Sequence, residues 1–140
     1  MAKDTQLSTT TINAEADALA RLLDNGYLRV YDGTKPATGN TAIGGNTLMS
    51  EHRFSATSAP AAANGVLTFS AITAPAALSG GTPTWFRALK SDGATGVMDG
   101  TCGATGSTSN LEFAILPLVL GGTVTISSFT HTVPAATTGV

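Results

Sequence analysis

The apolar positions along this chain follow two different spacings. In residues 14–25 they recur at intervals of three and four, through Leu19, Leu22 and Leu23, which predicts one face of an α-helix. Asn13 is suited to cap the start of this helix. Gly26 is suited to follow its end in a left-handed conformation. The helix is therefore predicted from Ala14 to about Asn25.

After residue 26 the spacing changes to the alternation typical of β-strands. The runs that alternate, or that are rich in strand-forming residues, are Tyr27–Tyr31, Thr47–Phe54, Val66–Thr73, Thr84–Lys90, Val97–Gly103, Leu111–Leu116 and Gly122–Val133. In the last run the apolar side switches from Val124 and Ile126 to Phe129, which predicts a bulge near Ser127. Seven or eight short strands after one helix predict a mainly β fold.

The predicted architecture is an antiparallel β-sandwich of jelly-roll type with one N-terminal helix. Strand number alone leaves an immunoglobulin-like sandwich open. The chain of 140 residues fits one domain. Residues 1–12 are predicted to be a flexible N-terminal arm because Met1–Thr11 is polar and rich in Thr, and residues 13–140 the β-sandwich domain with its leading helix. The long loop Asp32–Asn46 is of the kind that is usually functional or ordered by a partner.

Charge is sparse, which narrows the possible partners. Only 11% of the residues are charged, against about 25% in an average soluble protein. A surface with so little charge is suited to become an interface. The net charge is −2 without a basic run, so we predict no nucleic-acid partner. The longest apolar run, Ala114–Leu120, is too short to span a bilayer, and the N-terminus lacks the apolar stretch of a signal peptide.

The candidate catalytic and metal-binding residues all have structural interpretations that the sequence favours. Asp92 and Asp99 each precede Gly, as in tight turns, and the spacing of a calcium loop is absent. Cys102 would need a base, and neither His52 nor His131 lies in a recognisable motif. The Gly-rich run 100–107 lacks the Lys of a phosphate-binding loop. We therefore predict no catalytic residue, no metal and no cofactor.

Two further groups are interpreted as packing rather than as sites. Glu51 and His52 are adjacent on a strand and face opposite sides, so they cannot hold one metal together, and His52 is predicted to be partly buried and hydrogen-bonded. Trp85 and Arg87 share a face that could stack on a sugar, but a Trp in a small β-domain is more often part of the core, with the Arg stem packed along the rim.

Three stretches carry a resemblance to known proteins: NGYLRVYDGTKPATGNTAI at residues 25–43, TWFRALKSDGATGVMDGTCG at 84–103, and the closing VTISSFTHTV. They resemble small virion proteins of tailed bacteriophages, in particular the jelly-roll cement, or head decoration, proteins on the outside of HK97-type capsids. The similarity extends over roughly Leu19–Val133.

This resemblance implies a structural virion protein, made in the cytoplasm of a bacterial host, that cements neighbouring major capsid protein subunits and forms a homodimer. It implies neither an enzyme nor a membrane or nucleic-acid partner. The N-terminal arm is expected to add a strand to a neighbour's open edge. The predicted contacts with the capsid or the second subunit are Leu7, Thr9, Thr11, Ile12, Tyr27, Tyr31, Lys35 and Pro36.

Two other functions compete with this one. The first is a module on the head or tail surface that binds host glycans through aromatic side chains such as Trp85. The second is a small hydrolase, for which no nucleophile, base and orienting group occur together. Burial of Trp85 in the fold would remove the glycan platform.

Overall fold

The computed structural model describes residues 4–138, which form one helix and nine strands. In chain order they are β1 (Asp4–Gln6), α1 (Thr9–Leu23), β2 (Tyr27–Tyr31), β3 (Leu48–Arg53), β4 (Val66–Thr68), β5 (Trp85–Leu89), β6 (Gly96–Ala104), β7 (Leu111–Phe113), β8 (Ile126–Thr132) and β9 (Ala136–Thr138). The prediction of a mainly β fold with a single helix is confirmed. Within residues 4–138, no helix combines the length and apolarity needed to cross a bilayer.

Seven of the strands form one sheet, in the order β3-β2-β5-β6-β7-β8-β4. All neighbours in this sheet are antiparallel except β6 and β7, which run parallel with Cys102 opposite Leu111. Strands β7 and β8 pair Glu112 with Ser128 and Phe113 with Ile126, which leaves Ser127 without a partner in β7. The bulge predicted near Ser127 is therefore confirmed.

The sheet is strongly curled around an aromatic core. Phe54 follows the strand at one edge and Phe69 follows the strand at the other, yet their ring centroids lie 5.5 Å apart. Because neighbouring strands are spaced by about 4.8 Å, a flat seven-stranded sheet would hold these residues much farther apart. Phe129 of β8 packs against both rings and against Phe86 of β5, with centroid distances of 6.1, 4.3 and 5.1 Å to Phe54, Phe69 and Phe86.

The chain between β4 and β5 runs along the free edge of β3. The backbone N–H of Thr73 donates to Arg53 O at 3.2 Å, and that of Leu78 donates to Met49 O at 2.8 Å. The N–H of Arg53 in turn donates to the Thr73 hydroxyl at 2.8 Å. The edge of β3 is therefore covered, which protects it from pairing with another chain.

The helix begins earlier than predicted, and a different residue caps it. Ser8 is the N-cap, and its hydroxyl oxygen accepts from the N–H of Thr11 at 3.3 Å. Asn13 lies inside the helix, where its side-chain oxygen accepts from Gly65 N–H at 2.8 Å. The buried stripe is Ile12, Ala16, Ala20 and Leu23, whereas Leu22 is 45% exposed. The predicted stripe was therefore partly wrong, because small Ala residues form much of the packed face.

The end of the helix also differs from the prediction. Asn25 has the left-handed conformation, with φ of 56°, rather than Gly26. Gly26 is needed for a close approach instead, because a Cβ there would overlap with the carbonyl oxygen of Leu89. The described part of the predicted arm also contains β1 and the first turn of α1. Residues 4–12 of the predicted arm therefore carry a short strand and the start of the helix, and the role of this segment as an arm stays a prediction.

Polar side chains on one face of α1 attach it to the segment that links β3 and β4. Asn13, Asp17 and Asp24 accept hydrogen bonds from backbone N–H groups of Gly65, Ala62 and Ser58, respectively, at 2.8, 2.7 and 2.7 Å. These acceptors lie four and seven residues apart, which places them on one side of a helix. The helix is thereby fixed by directional bonds as well as by its apolar stripe.

Candidate functional site

Two long segments of the chain contain no Asp, Glu, Lys or Arg, namely residues 54–86 and 113–140. The fold brings parts of them together as two adjoining loops, residues 75–82 and 115–124, which we call the apolar loop pair. Gly81 and Leu118 exchange backbone hydrogen bonds at 2.9 and 2.7 Å, and Ala77 N–H donates to Gly122 O at 2.8 Å. Neither loop of this pair carries a charged side chain.

Large apolar side chains are exposed on this loop pair. Ile115 is 74% exposed, Val119 70%, Leu120 69% and Leu78 56%. Among residues 4–138, Leu22 on α1 is the only other large hydrophobic residue with comparable exposure. Single exposed apolar residues are normal, but four on two adjoining loops are typical of an interaction site.

The backbone holds these side chains outward in a fixed arrangement. Leu118 and Val124 are buried and anchor the second loop to the core. Between them the chain turns at Gly121, which has φ of 80°, and Gly122 N–H donates to Val119 O at 2.8 Å. A shallow pocket of about 310 Å³ lies beside the exposed residues, lined by Ile115, Pro117, Leu118, Val119, Gly122 and Thr123. A partner would meet a preformed apolar surface, so little conformational entropy would be lost in ordering these loops on binding.

The residues predicted to contact a partner lie outside the apolar loop pair, and they differ in exposure. Thr9 and Thr11 are exposed on the first turn of α1, with Leu7 half-buried just before it, and Lys35 is exposed beside the half-buried Pro36. Tyr27 is half-buried, with the Arg53 guanidinium 4.0 Å from its ring centroid. Ile12 and Tyr31 are buried within the chain itself. The role of the exposed members as contacts stays a prediction.

Trp85 belongs to the packed interior, as predicted, and not to a sugar platform. It is 1% exposed, its ring stacks on Tyr31 at 4.7 Å, and its indole N–H donates to Asp32 O at 3.0 Å. The long loop 32–46 covers this aromatic pair on the outer face of the sheet. Burial raises the pKa of the Tyr31 hydroxyl above its ordinary value.

A buried ion pair holds the same loop in place. Arg87 Nε and Nη2 donate to the two carboxylate oxygens of Asp99 at 2.7 and 2.8 Å, and Nη1 donates to Thr41 O at 2.8 Å. The hydrogen bonds that Arg87 donates to the Asp99 carboxylate raise the pKa of Arg87 above its ordinary value. Asp99 lies within β6 rather than in a tight turn, so that prediction was wrong. Asp92 does occupy a turn, where hydrogen bonds from Thr95 lower its pKa to about 2.

The candidate nucleophile and base are both buried. Burial raises the pKa of the Cys102 thiol to about 12, so almost none of it is thiolate at neutral pH. His52 Nδ1–H donates to Thr73 O at 2.7 Å, and its Nε2 accepts from the Ser50 hydroxyl at 2.9 Å. Ser50 and His52 are both 0% exposed, so no substrate reaches this pair. Residues 4–138 contain no group of three His, Cys, Asp or Glu side chains that could hold a metal.

The stability of the protein is expected to fall in mild acid because of His52. Burial lowers the pKa of this imidazole, outweighing the bond to Thr73, so the unfolded chain takes up the proton more readily than the folded one. The stability that neutral His52 contributes is fully present above the pKa of His in the unfolded chain, about 6.5. It is lost as the pH falls from about 6.5 towards the lower pKa of His52 in the folded protein. Urea unfolding of wild type and His52→Gln between neutral and mildly acidic pH measures it. The variant should be less stable at neutral pH and lose less stability on acidification.

His131 provides a check on this prediction, since burial also lowers its pKa but it is only half-buried. His131→Gln should remove a smaller part of the pH dependence than His52→Gln. Equal pH dependence in wild type and His52→Gln would contradict the interpretation of His52 as a neutral, buried imidazole.

Comparison with known proteins gave no match to a family model, to a curated protein or to a solved structure. The resemblance to phage cement proteins therefore stays a prediction that rests on the quoted motifs. The apolar loop pair, which the sequence had not indicated as a site, is the surface of the described chain best suited to bind another polypeptide.

Proposed function

We propose that the protein is a structural virion protein that binds the outer surface of a tailed-phage capsid and cements neighbouring major capsid protein subunits. The observation that carries this proposal is the exposure of four large apolar side chains on a charge-free, preformed loop pair. An exposed apolar surface of this kind is typical of a site that binds another polypeptide. The protein is made in the host cytoplasm and resides on the virion, where it pairs with itself.

The energetics suit a component that is present in many copies. Full burial of one Leu, Ile or Val side chain contributes about 1.5–3 kcal/mol, so covering the apolar loop pair supplies several kcal/mol per copy. Translational and rotational losses offset part of this. A capsid presents many adjoining sites, and a protein that contacts two subunits at once gains affinity from its second contact without new chemistry.

In this proposal the curled sheet is a sandwich of jelly-roll type. The two halves of the sheet face each other across Phe54, Phe86 and Phe129, which supports a sandwich. The parallel pairing of β6 with β7 departs from an all-antiparallel arrangement. Glycan binding, the alternative function, has lost Trp85 as its platform, and no other observation favours it.

The double variant Val119→Lys/Leu120→Lys tests the capsid interface. Both side chains are about 70% exposed, so the variant should fold normally, with a stability change of about 0.5 kcal/mol or less for each substitution. Two charges inside a covered apolar surface should weaken capsid binding at least about tenfold, since an unpaired buried charge costs several kcal/mol. Binding is measured by co-sedimentation with heads assembled without the protein.

Leu22→Lys is the matched control, because it makes the same chemical change at an exposed apolar residue on α1. It should bind heads as the wild type does. Undiminished co-sedimentation of the double variant would exclude the apolar loop pair as the capsid interface. Failure of the wild-type protein itself to bind heads would contradict the proposed function as a whole.

A further inference from the structure

The two ends of the described chain meet in a ribbon that is separate from the main sheet. Strands β1 and β9 pair only with each other, with Asp4 opposite Thr138, Thr5 opposite Thr137 and Gln6 opposite Ala136. One further backbone bond, from Leu7 N–H to Ala135 O at 2.7 Å, extends the ladder. Isolated two-stranded ribbons are only marginally stable in water, so this one is suited to gain further strands.

The ladder shows which backbone groups of β1 are free. Leu7 is hydrogen-bonded to β9, and successive residues of a strand in an antiparallel pair point their N–H and C=O groups to alternate sides. Thr5 therefore also faces β9, whereas the N–H and C=O groups of Asp4 and Gln6 face away from it. The three side chains of β1 are exposed, and within residues 4–138 no other strand pairs with the outer edge of β1.

We propose that β1 strands of two copies of this protein pair edge to edge, forming a four-stranded antiparallel sheet in the order β9-β1-β1-β9. A twofold axis at Thr5 places each Asp4 opposite Gln6 of the second copy. These are the two residues whose backbone groups are free, so both pairs form the double hydrogen bonds of an antiparallel ladder. Thr5 lies opposite Thr5, in the unbonded position between them.

The side chains of β1 are complementary to themselves in this register. The Asp4 carboxylate lies beside the Gln6 amide, which can donate to it, and no two like charges lie directly opposite. A Thr–Thr cross-strand pair is itself favourable. The result is an isologous contact, in which the same strand serves both subunits. This inference rests on the proposed function, which includes self-association, and it names the strand that pairs.

The variant Thr5→Cys tests the pairing. Opposed residues in an unbonded antiparallel position have Cα atoms about 4.5 Å apart, within the range for a disulfide. Under oxidising conditions the variant should form a covalent dimer on non-reducing gels. The native Cys102 is buried and does not compete. In Gln6→Cys the two introduced residues would be offset along the strands by about 7 Å, too far for a direct bridge, so it should form little dimer.

A Pro at position 6 provides the second test. Gln6→Pro removes an outward N–H but none that bonds β9, so the ribbon of the single copy can remain. Added to Thr5→Cys, it should reduce the yield of disulfide dimer at least about tenfold, since it removes both symmetry-related bonds. Equal cross-linking of Thr5→Cys and Gln6→Cys, an absence of dimer from Thr5→Cys, or an unchanged yield with Gln6→Pro would each overturn the proposal.

The capsid interface is tested separately. The Val119→Lys/Leu120→Lys variant that also carries Thr5→Cys should still form the disulfide dimer, although its binding to heads is weakened at least about tenfold. Dimers formed by a wild-type chain that does not bind heads would overturn the capsid role and leave the strand pairing standing. Normal binding to heads without any cross-linking of Thr5→Cys would overturn the strand pairing and leave the capsid role standing.

Discussion

Replacing Arg87 with Met is expected to lower the free energy of unfolding by about 3–5 kcal/mol, because it leaves the Asp99 carboxylate buried without its cation. The two side chains are only 8% and 4% exposed, so water does not replace the lost partner. Arg87 also donates to the carbonyl oxygens of Thr38 and Thr41. The same substitution should therefore loosen loop 32–46 and admit water to Trp85 beneath it.

Urea unfolding measures the loss of stability, and the emission maximum of Trp85, the only Trp in the chain, reports the loop. Arg29→Met is the matched control. Arg29 pairs with Glu51 at 2.7 Å, but those side chains are 27% and 37% exposed, and pairs of that kind contribute about 0–1 kcal/mol. The double variant Arg87→Met/Asp99→Leu should recover most of the stability, since it removes both charges. Equal losses in Arg87→Met and Arg29→Met would contradict a structural role for the buried pair.

Features with local physical causes were predictable from the sequence. The phase change of apolar residues across Ser127 gave the bulge correctly, because the side chains of a strand alternate and one extra residue reverses the pattern. His52 was correctly placed on a buried face for the same reason. In each case the pattern that decides the structure lies within a few residues of the chain.

Features that depend on distant partners were not predictable. Asp99-Gly100 has the composition of a turn, yet Arg87 on the neighbouring strand pairs with the carboxylate and keeps the segment extended. Gly100 is used for packing: a Cβ there would lie 2.6 Å from the ring of Phe86. Ser8 and Asn13 are both suitable N-caps by type, and Asn13 is used instead to hold Gly65, far along the chain.

The apolar loop pair was not predictable from the sequence for the same reason, since it depends on residues that are distant along the chain. The run Ala114–Leu120 is visible in the sequence, but a run of apolar residues does not show which side chains face the core. The structure turns Leu118 inward and leaves Ile115, Val119 and Leu120 exposed. Leu78 joins them only because residues 75–82 pair with the second loop. A contiguous interaction surface built from two loops some forty residues apart requires the fold to be known.

Phe129→Ala is expected to destabilise the protein by about 3–5 kcal/mol, the range for truncating a buried Phe. Phe129 is 4% exposed and contacts Phe54, Phe69 and Phe86, which come from both edges and the centre of the curled sheet. Three rings lose a partner at once, and because they come from different parts of the sheet, a movement of one element does not close the cavity. Total stabilities of single domains are about 5–15 kcal/mol, so the variant should lie close to unfolding.

Thermal and urea unfolding measure this loss, with Val119→Ala as the control because it also shortens an apolar side chain but at an exposed position. The control should change stability by about 0.5 kcal/mol or less. The two variants also separate stability from binding: Val119→Ala should weaken attachment to heads in a folded protein, whereas Phe129→Ala should lose attachment only in proportion to the unfolded fraction. A loss below about 1 kcal/mol in Phe129→Ala would mean that the aromatic cluster does not hold the two edges of the sheet together.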